Sequence, residues 1–529
     1  MAPSIIHLPD GQTFTVQPVF SGLQFKSNDM NLGRAPSPFP PGWTVVLHTE
    51  DDEDTKSTEH SNGTNSADTL GNGNEEPQSP TRSKVHAFRQ PTLQNDTIFI
   101  SSIVTPSSED FEPAKSPSRQ IALMLYITLY WYFQQPEPSA HLETEQSRYT
   151  PPEARPRGEW RIRIKREGVL HSRNMIPKLE RMGLISTMDS AVGTSLDENS
   201  EGWDHMFASQ RAFWQIPFGL FLFTLEPKRH GSSRPGSPID SSRATSPMRN
   251  EPGWKGHSSH ISINGLLSAD VPGGPTPMSI TNLPTYPLTP YFSASHMPTY
   301  YPPPPLQYVE TDGVRHPLRP KPHRMGEIFY TRYVPSVGKY LSFRVASASP
   351  SPVPYLGPKS HEATQEHGHL AKLSDAALLE MWMDNPRVTK FWGKYQSDFL
   401  SNALKSKHSF PAIGSWDGEP FGYFEIYWVK EDVLGKRIKA DDYDRGIHVF
   451  IGEEWARGLV PQWSSSLAQW IWQSDPRTMS ICLEPRIDNT RFIDLLQNEG
   501  FNKERQVSFL HKQSWLVRLR RETWTGPRL

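Results

Sequence analysis

Residues 455–462, Trp-Ala-Arg-Gly-Leu-Val-Pro-Gln, lie between a strand candidate at 447–452 and a helix candidate at 462–473. A strand that runs through a loop into a helix leaves free backbone N–H groups and the positive end of the helix dipole beside any bound anion. Arg457 adds charge, Gly458 admits close backbone approach, and the hydroxyls of Ser464, Ser465 and Ser466 add donors, a set that suits a pyrophosphate. An Arg-Gly pair before a helix is also an ordinary surface turn. Downstream, Arg486 has the geometry to hold a carboxylate bidentately, which Lys does less well, and a structural salt bridge would use it equally. Glu484 reads as fixing the turn that follows it. Cys482, in a strand at 479–483, reads as a buried small hydrophobe, since direct group transfer needs no covalent intermediate. His361, His367 and His369 lack a helical His-x-x-x-His frame and are expected in a linker, so no metal is expected.

Positioning such residues calls for a mixed sheet with helices on both faces. The predicted elements from residue 371 onward are a short helix over 378–383 stopped by Asn385-Pro386, strands 409–415 and 421–429 joined by the Asp417-Gly418 turn, then strand 447–452 and helix 462–473. Strand 478–484, helix 489–498 and strands 501–510 and 514–519 complete the order. Upstream, strand 97–104, a buried helix over 118–135, strand 160–165 and strand 219–225 predict an α+β domain without a glycine-rich phosphate loop, a metal spacing or a nucleophile elbow. A scaffold or dimerisation role is the plainer expectation for it, and a homodimer is compatible with it.

Two polar segments divide the chain. Residues 50–83 open Glu-Asp-Asp-Glu-Asp and hold almost nothing apolar, so they cannot offset their ordering entropy. Residues 229–305 are rich in Ser, Pro, His and Tyr and end in a four-proline run. The expected division is 1–228 (with the insert at 50–83), a linker at 229–323, and a C-terminal domain at 324–529. Fifty-five Lys and Arg against 57 Asp and Glu give a net charge of −2, which leaves no global field to recruit nucleic acid. A single cysteine excludes an intrachain disulfide and a thiolate zinc site. No uncharged run is long enough to span a bilayer, and the N-terminus lacks a secretory pattern. A cytoplasmic location is expected; the terminal Pro527-Arg528-Leu529 is only a weak form of a peroxisomal address.

Over about residues 371–520 the chain resembles the Gcn5-related N-acetyltransferase fold, and within it the siderophore branch of fungal hydroxyornithine acyltransferases, aerobactin-type hydroxylysine acetyltransferases and mycobactin lysine acyltransferases. Trp382-Met383-Asp384-Asn385-Pro386-Arg387-Val388 with Phe391-Trp392, Gly422-Tyr423-Phe424-Glu425-Ile426-Tyr427-Trp428, and Arg445-Gly446-Ile447-His448 carry the resemblance. Arg457-Gly458, Asp475-Pro476-Arg477-Thr478, Glu484-Pro485-Arg486-Ile487-Asp488-Asn489, Gly500-Phe501 and His511-Lys512 continue it. The long N-terminal half is similar to the fungal ornithine branch, in which a degenerate acyltransferase-like domain precedes the active one. The loop departs from the family's Arg/Gln-x-x-Gly-x-Gly/Ala pattern, because Leu459-Val460-Pro461 follows Gly458.

The resemblance implies acetyl-CoA as acyl donor, N5-hydroxyornithine as acceptor and a hydroxamate as product, with anhydromevalonyl-CoA in a peroxisomal enzyme as the nearest rival and a catalytically silent scaffold as the more distant one. It points to His448 and Asp488 as the polar pair at the acceptor nitrogen, and to Trp382, Asn385, Trp392, Glu425, Tyr427 and Arg486 around the acceptor. An alkyl hydroxylamine is mostly neutral at neutral pH, unlike an alkylamine with pKa about 10.4, so a histidine of pKa about 6.5 is expected to be a sufficient general base. Asp488 either orients the imidazole or holds the acceptor.

Overall fold

The computed structural model describes residues 4–20, 22–28, 41–50, 84–104, 117–171, 175–187, 206–220, 307–360 and 366–529. The acidic insert past Glu50, the Ser/Pro segment, His361 and all but the first two residues of the strand expected at 219–225 lie outside the described residues.

The first half forms one sheet from β1 (Ser4–His7), β2 (Thr13–Val19), β3 (Gly22–Ser27), β4 (Gly42–Glu50), β5 (Val85–Ala87), β6 (Asp96–Val104), β7 (Arg161–Ile164), β8 (Ser186–Thr187) and β9 (Met206–Ser209). Helices α1 (Pro117–Tyr132), α2 (Ile176–Arg181) and α3 (Gln210–Trp214) accompany it. The expected strands at 97–104 and 160–165 and the helix at 118–135 are present as β6, β7 and α1. α1 is apolar around nearly its whole circumference and is buried from Ile121 to its end, with Thr128 receiving the indole N–H of Trp43 at 3.0 Å.

A hairpin, β10 (Tyr308–Thr311) and β11 (Val314–Pro317), falls within the stretch expected to be linker. Gly313, at φ 77°, supplies its turn. Arg319 just beyond forks onto Glu431 at 2.6 and 2.7 Å and so ties this end of the stretch to the C-terminal half.

The second sheet runs β12 (Ile328–Val334), β13 (Lys339–Val345), β14 (Ser409–Trp416), β15 (Glu419–Trp428), β16 (Arg445–Ile451), β17 (Ser480–Leu483), β19 (Gln513–Arg520), β18 (Asn502–Ser508) in spatial order. Helices α4 (Asp375–Asp384), α5 (Pro386–Trp392) and α6 (Phe399–Lys405) cover one face, where Trp382, Leu378 and Val388 pack on Ile413, Tyr423 and Phe450. α7 (Val460–Ser474) packs on the other face against Phe424, and α8 (Thr490–Asn498) follows β17. Every element expected from residue 371 onward is found within a few residues of its expected limits.

The two sheets share one topology. The order β1-β2-β3-β4-β6-β7-β9-β8 repeats as β12-β13-β14-β15-β16-β17-β19-β18, and in each only one neighbouring pair, β6 with β7 and β16 with β17, is parallel. A helix, α1 or α7, bridges that parallel pair in both halves, as a parallel connection requires. The halves pack together: Gln469 of α7 donates to Trp214 O at 2.9 Å, and Arg521 donates to the Gln215 amide oxygen at 2.7 Å.

Candidate active site

Antiparallel register sets Glu425 on β15 directly opposite His448 on β16, and Tyr427 opposite Gly446. A side chain at 446 would meet the Tyr427 ring at 2.1 Å, so glycine there lets the ring lie flat across β16. The ring stacks on the His448 imidazole with centroids 4.4 Å apart, and its hydroxyl donates to Glu484 Oε2 at 2.8 Å. Glu484 follows the last residue of β17, and its Oε1 meets His448 Nε2 at 2.8 Å. On the other side of the ring, Nδ1 faces Glu425 Oε2 at 3.5 Å, and Glu425 Oε1 accepts from Ser409 at 3.0 Å. Lys512 adds its ammonium to Glu484, 3.3 Å from the backbone oxygen and 3.5 Å from Oε1.

Both ring nitrogens therefore face carboxylates, which only accept hydrogen bonds, and the doubly protonated ring satisfies both. Burial alone would lower the His448 pKa, but the charge of Glu484 and the bonds to both carboxylates outweigh it and push it up to about 10. Burial would raise Glu484, yet His448 and Lys512 pull it down to about 2. Glu425 is lowered too, its burial outweighed by the bond from His448. At neutral pH the group is carboxylate, imidazolium, carboxylate. The expectation of a histidine titrating near 6.5 as the base is thus corrected by the second carboxylate, Glu484.

β16 and β17 pair only at Arg445 with Ile481 and Gly446 with Cys482, and then part company. Two joined clefts open where they diverge. One, of about 1060 Å³, is lined by His448, Glu484, Arg486, His511 and Lys512. The other, of about 790 Å³, runs toward the start of α7 and is lined by Arg387, Arg457, Arg491, Val460 and Trp463. Phe391, Trp392, Val449, Asn489 and Phe492 line both and form the junction. The second cleft offers cations and a helix start to an elongated anion; the first offers a polar cluster to a small polar molecule.

The remaining expected residues divide. Arg457 lines the arginine-walled cleft, bonded to Glu454 at 3.2 Å, and Glu454 also holds Arg387. Open space surrounds the Gly458 side-chain direction, so the site admits close approach there. Ser464 and Ser465 are buried: their hydroxyls bond Pro461 O at 3.5 and 2.7 Å, and Ser465 also receives the Arg528 N–H at 2.9 Å. They are tied into the helix and the C-terminal segment and are not donors to a bound anion. Trp392 stands at the junction, edge-on to His448. Trp382 does not line either cleft; it lies under Gly452, bonded to Glu453 at 2.7 Å. Asn385 caps α5 by accepting the Arg387 N–H at 3.1 Å. Glu425 stands behind His448, where it holds the ring and does not line the cleft.

Of the two roles expected for Asp488, orienting the imidazole falls to Glu425 and Glu484, which are the partners of His448. Arg486 takes both Asp488 oxygens in a fork at 2.6 and 2.8 Å, and about half of the Asp488 side chain faces solvent. Glu484 holds the position next to the imidazole instead. Glu484 and Lys512 were legible only as members of a motif, and Arg491 carried no sequence signal beyond its charge.

Sheet register also assigns each active-site residue a counterpart in the first half. Matching the parallel pairs, Thr97 with Arg163 and Ile98 with Ile164, to Arg445 with Ile481 and Gly446 with Cys482 sets Ile100 at the His448 position, Val45 at that of Glu425 and Arg166 at that of Glu484. Val45 and Ile100 are paired across β4 and β6 just as Glu425 and His448 are across β15 and β16. The divergence of β6 and β7 is filled by the chain itself, since a side chain on Gly168 would meet Ile100 O at 2.1 Å. The first half thus keeps the fold of the second without its polar cluster.

Comparison with known proteins agrees with this architecture. Residues 372–509 match the family model described as "Acetyltransferase (GNAT) domain". The chain is 52% identical to the N5-hydroxyornithine acetylase sidL of Beauveria bassiana over 97% of this chain and 100% of that protein. It is 35% identical to the N(6)-hydroxylysine O-acetyltransferase of Escherichia coli over 38% of this chain and 58% of that protein. It is 32% identical to the N(5)-hydroxyornithine:cis-anhydromevalonyl coenzyme A-N(5)-transacylase SIDF of B. bassiana over 38% of this chain and 41% of that protein. With Glu425, His448 and Glu484 inside the matched domain and 97% of its length aligned with sidL, the chain belongs to the GNAT acetyltransferase family, in the group that includes the B. bassiana N5-hydroxyornithine acetylase.

Proposed function

We propose that the chain transfers the acetyl group of acetyl-CoA to the hydroxylamine nitrogen of N5-hydroxyornithine and so makes a hydroxamate of the kind used in siderophores to bind ferric iron. The observation that carries this reading is the carboxylate–imidazolium–carboxylate cluster at the junction of an arginine-walled cleft and a polar one, in a chain similar to sidL from end to end. Acetyl-CoA lies with its phosphates toward Arg457, Arg491 and the start of α7, and its thioester at the junction beside Trp392 and Val449.

The chemistry follows from the cluster. The neutral hydroxylamine nitrogen attacks the thioester carbon, forming the C–N bond while the carbonyl pair moves to oxygen. As that bond forms the nitrogen turns cationic and must lose its proton to a base at the junction. Glu484 lines the cleft and takes this proton, while His448 stays protonated and holds both carboxylates in place. Collapse re-forms the carbonyl, breaks the C–S bond and releases the CoA thiolate, which recovers the proton.

Among the described residues no helix is long and apolar enough to cross a membrane and no group of side chains has the makings of a metal site. The activity we assign requires neither. The single cysteine supports a reducing, cytoplasmic setting. Thiol release from acetyl-CoA that depends on N5-hydroxyornithine tests the assignment.

A further inference from the structure

We propose that Lys512 holds the α-carboxylate of the acceptor, so that the site selects amino-acid hydroxylamines over hydroxylamines of the same length without a carboxylate. The assignment rests on the hydroxyornithine reading above. Three basic side chains, Arg486, His511 and Lys512, line the acceptor cleft. Arg486 was the expected carboxylate holder, but its fork is filled by Asp488, and its third bond, at 3.1 Å, goes to Lys390 O. Lys512 is less engaged. Its two contacts with Glu484, at 3.3 and 3.5 Å, are longer than an ordinary charged hydrogen bond, the centroid of the Phe509 ring lies 5.2 Å from the ammonium, and about a quarter of its side chain is exposed. An ammonium has three donors, so one remains for a ligand.

Position supports the same assignment. Lys512 and His448 both contact Glu484 Oε1, so the ammonium and the reaction centre stand one carboxylate oxygen apart. In a linear δ-hydroxylamino acid four carbons separate the carboxylate carbon from the reacting nitrogen, a span that bridges such neighbouring groups. The bond from Phe509 N–H to Lys512 O, at 2.8 Å, closes the turn that presents the ammonium.

The test compares acetyl transfer to N5-hydroxyornithine and to N-hydroxyputrescine, which lacks the carboxylate, in wild type, Lys512→Gln and Lys512→Arg. The expected result for Lys512→Gln is a kcat/KM for N5-hydroxyornithine lowered roughly tenfold to a hundredfold more than that for N-hydroxyputrescine, the scale of one lost charged hydrogen bond. Lys512→Arg recovers most of this difference, and the loss that Lys512→Gln causes with N-hydroxyputrescine is the smaller part that comes from the contact with Glu484. Equal losses with both acceptors would overturn the assignment, since Lys512 would then act only by supporting Glu484, and so would unchanged kinetics in a variant with a wild-type melting temperature. Wild-type protein inert toward both acceptors would overturn the hydroxyornithine reading itself and this assignment with it.

Discussion

His448 Nε2 stands 2.8 Å from Glu484 Oε1, while Asp488, four residues further along the same motif, is turned away into the fork of Arg486. Glu484 is therefore expected to matter more than Asp488. Glu484→Gln should lower kcat by roughly 10² or more, the scale of a lost acid–base group. Asp488→Asn should change kcat/KM by less than about tenfold, because an exposed ion pair contributes only about 0–1 kcal/mol. Steady-state kinetics on the two variants compares them directly.

The His448 ring is expected to stay protonated through the neutral range and to titrate near pH 10, whereas in Glu484→Gln it should move toward the ordinary histidine value near 6.5. Ring signals followed by NMR from pH 5 to 11 report this. A titration near 6.5 in the wild-type protein would contradict the cluster.

The same pair links stability to pH. A histidine raised to about 10 contributes fully below its unfolded pKa of about 6.5, and that contribution fades as pH rises from there toward 10. Glu484, lowered to about 2, contributes fully above its unfolded value of about 4.3 and loses this as pH falls toward 2. The pair is expected to contribute most between about pH 4.5 and 6.5. Glu484→Gln should flatten the fall in melting temperature above pH 7.

Arg457 and Arg491 wall the cleft assigned to CoA from two different elements, the turn before α7 and the first turn of α8. Replacing either with Ala should raise the KM for acetyl-CoA roughly threefold to thirtyfold and leave kcat nearly unchanged. The effect should shrink as salt screens the phosphates.

Gly168 tests the self-filled cleft of the first half. Its φ of 58° and the 2.1 Å approach of a side chain to Ile100 O mean that Gly168→Ala costs more than the roughly 1–2 kcal/mol of the left-handed backbone alone. The melting temperature should fall by several degrees. Acetyl-CoA kinetics at a permissive temperature should not change.

The second half was legible because its elements are short, punctuated and locally encoded. Asp417-Gly418 adopts positive φ at both residues, as its hairpin requires, and Pro386 starts α5 immediately after α4 ends. The likeness of the first half to the second was not legible in the sequence. Val45 and Ile100 occupy the positions of Glu425 and His448, so the topology survives without the residues that would announce it, and only strand register reveals the correspondence. In the site, His448, Arg457, Trp392 and Arg486 reach the clefts as expected. The misassignment of Ser464 and Ser465 has a plain cause: α7 begins at Val460, so both lie a full turn inside it and back-bond to Pro461 O. The exchange of Asp488 for Glu484 was not visible because it depends on which of two acids, each two residues from Arg486, the guanidinium takes.

The most direct test of the proposed function is thiol release from acetyl-CoA and from anhydromevalonyl-CoA, each with N5-hydroxyornithine, ornithine or N6-hydroxylysine as acceptor. The account predicts turnover concentrated on acetyl-CoA with N5-hydroxyornithine, with ornithine left unreacted because its amine stays protonated at neutral pH. Preference for the bulky donor, or no turnover with any pair, would contradict it.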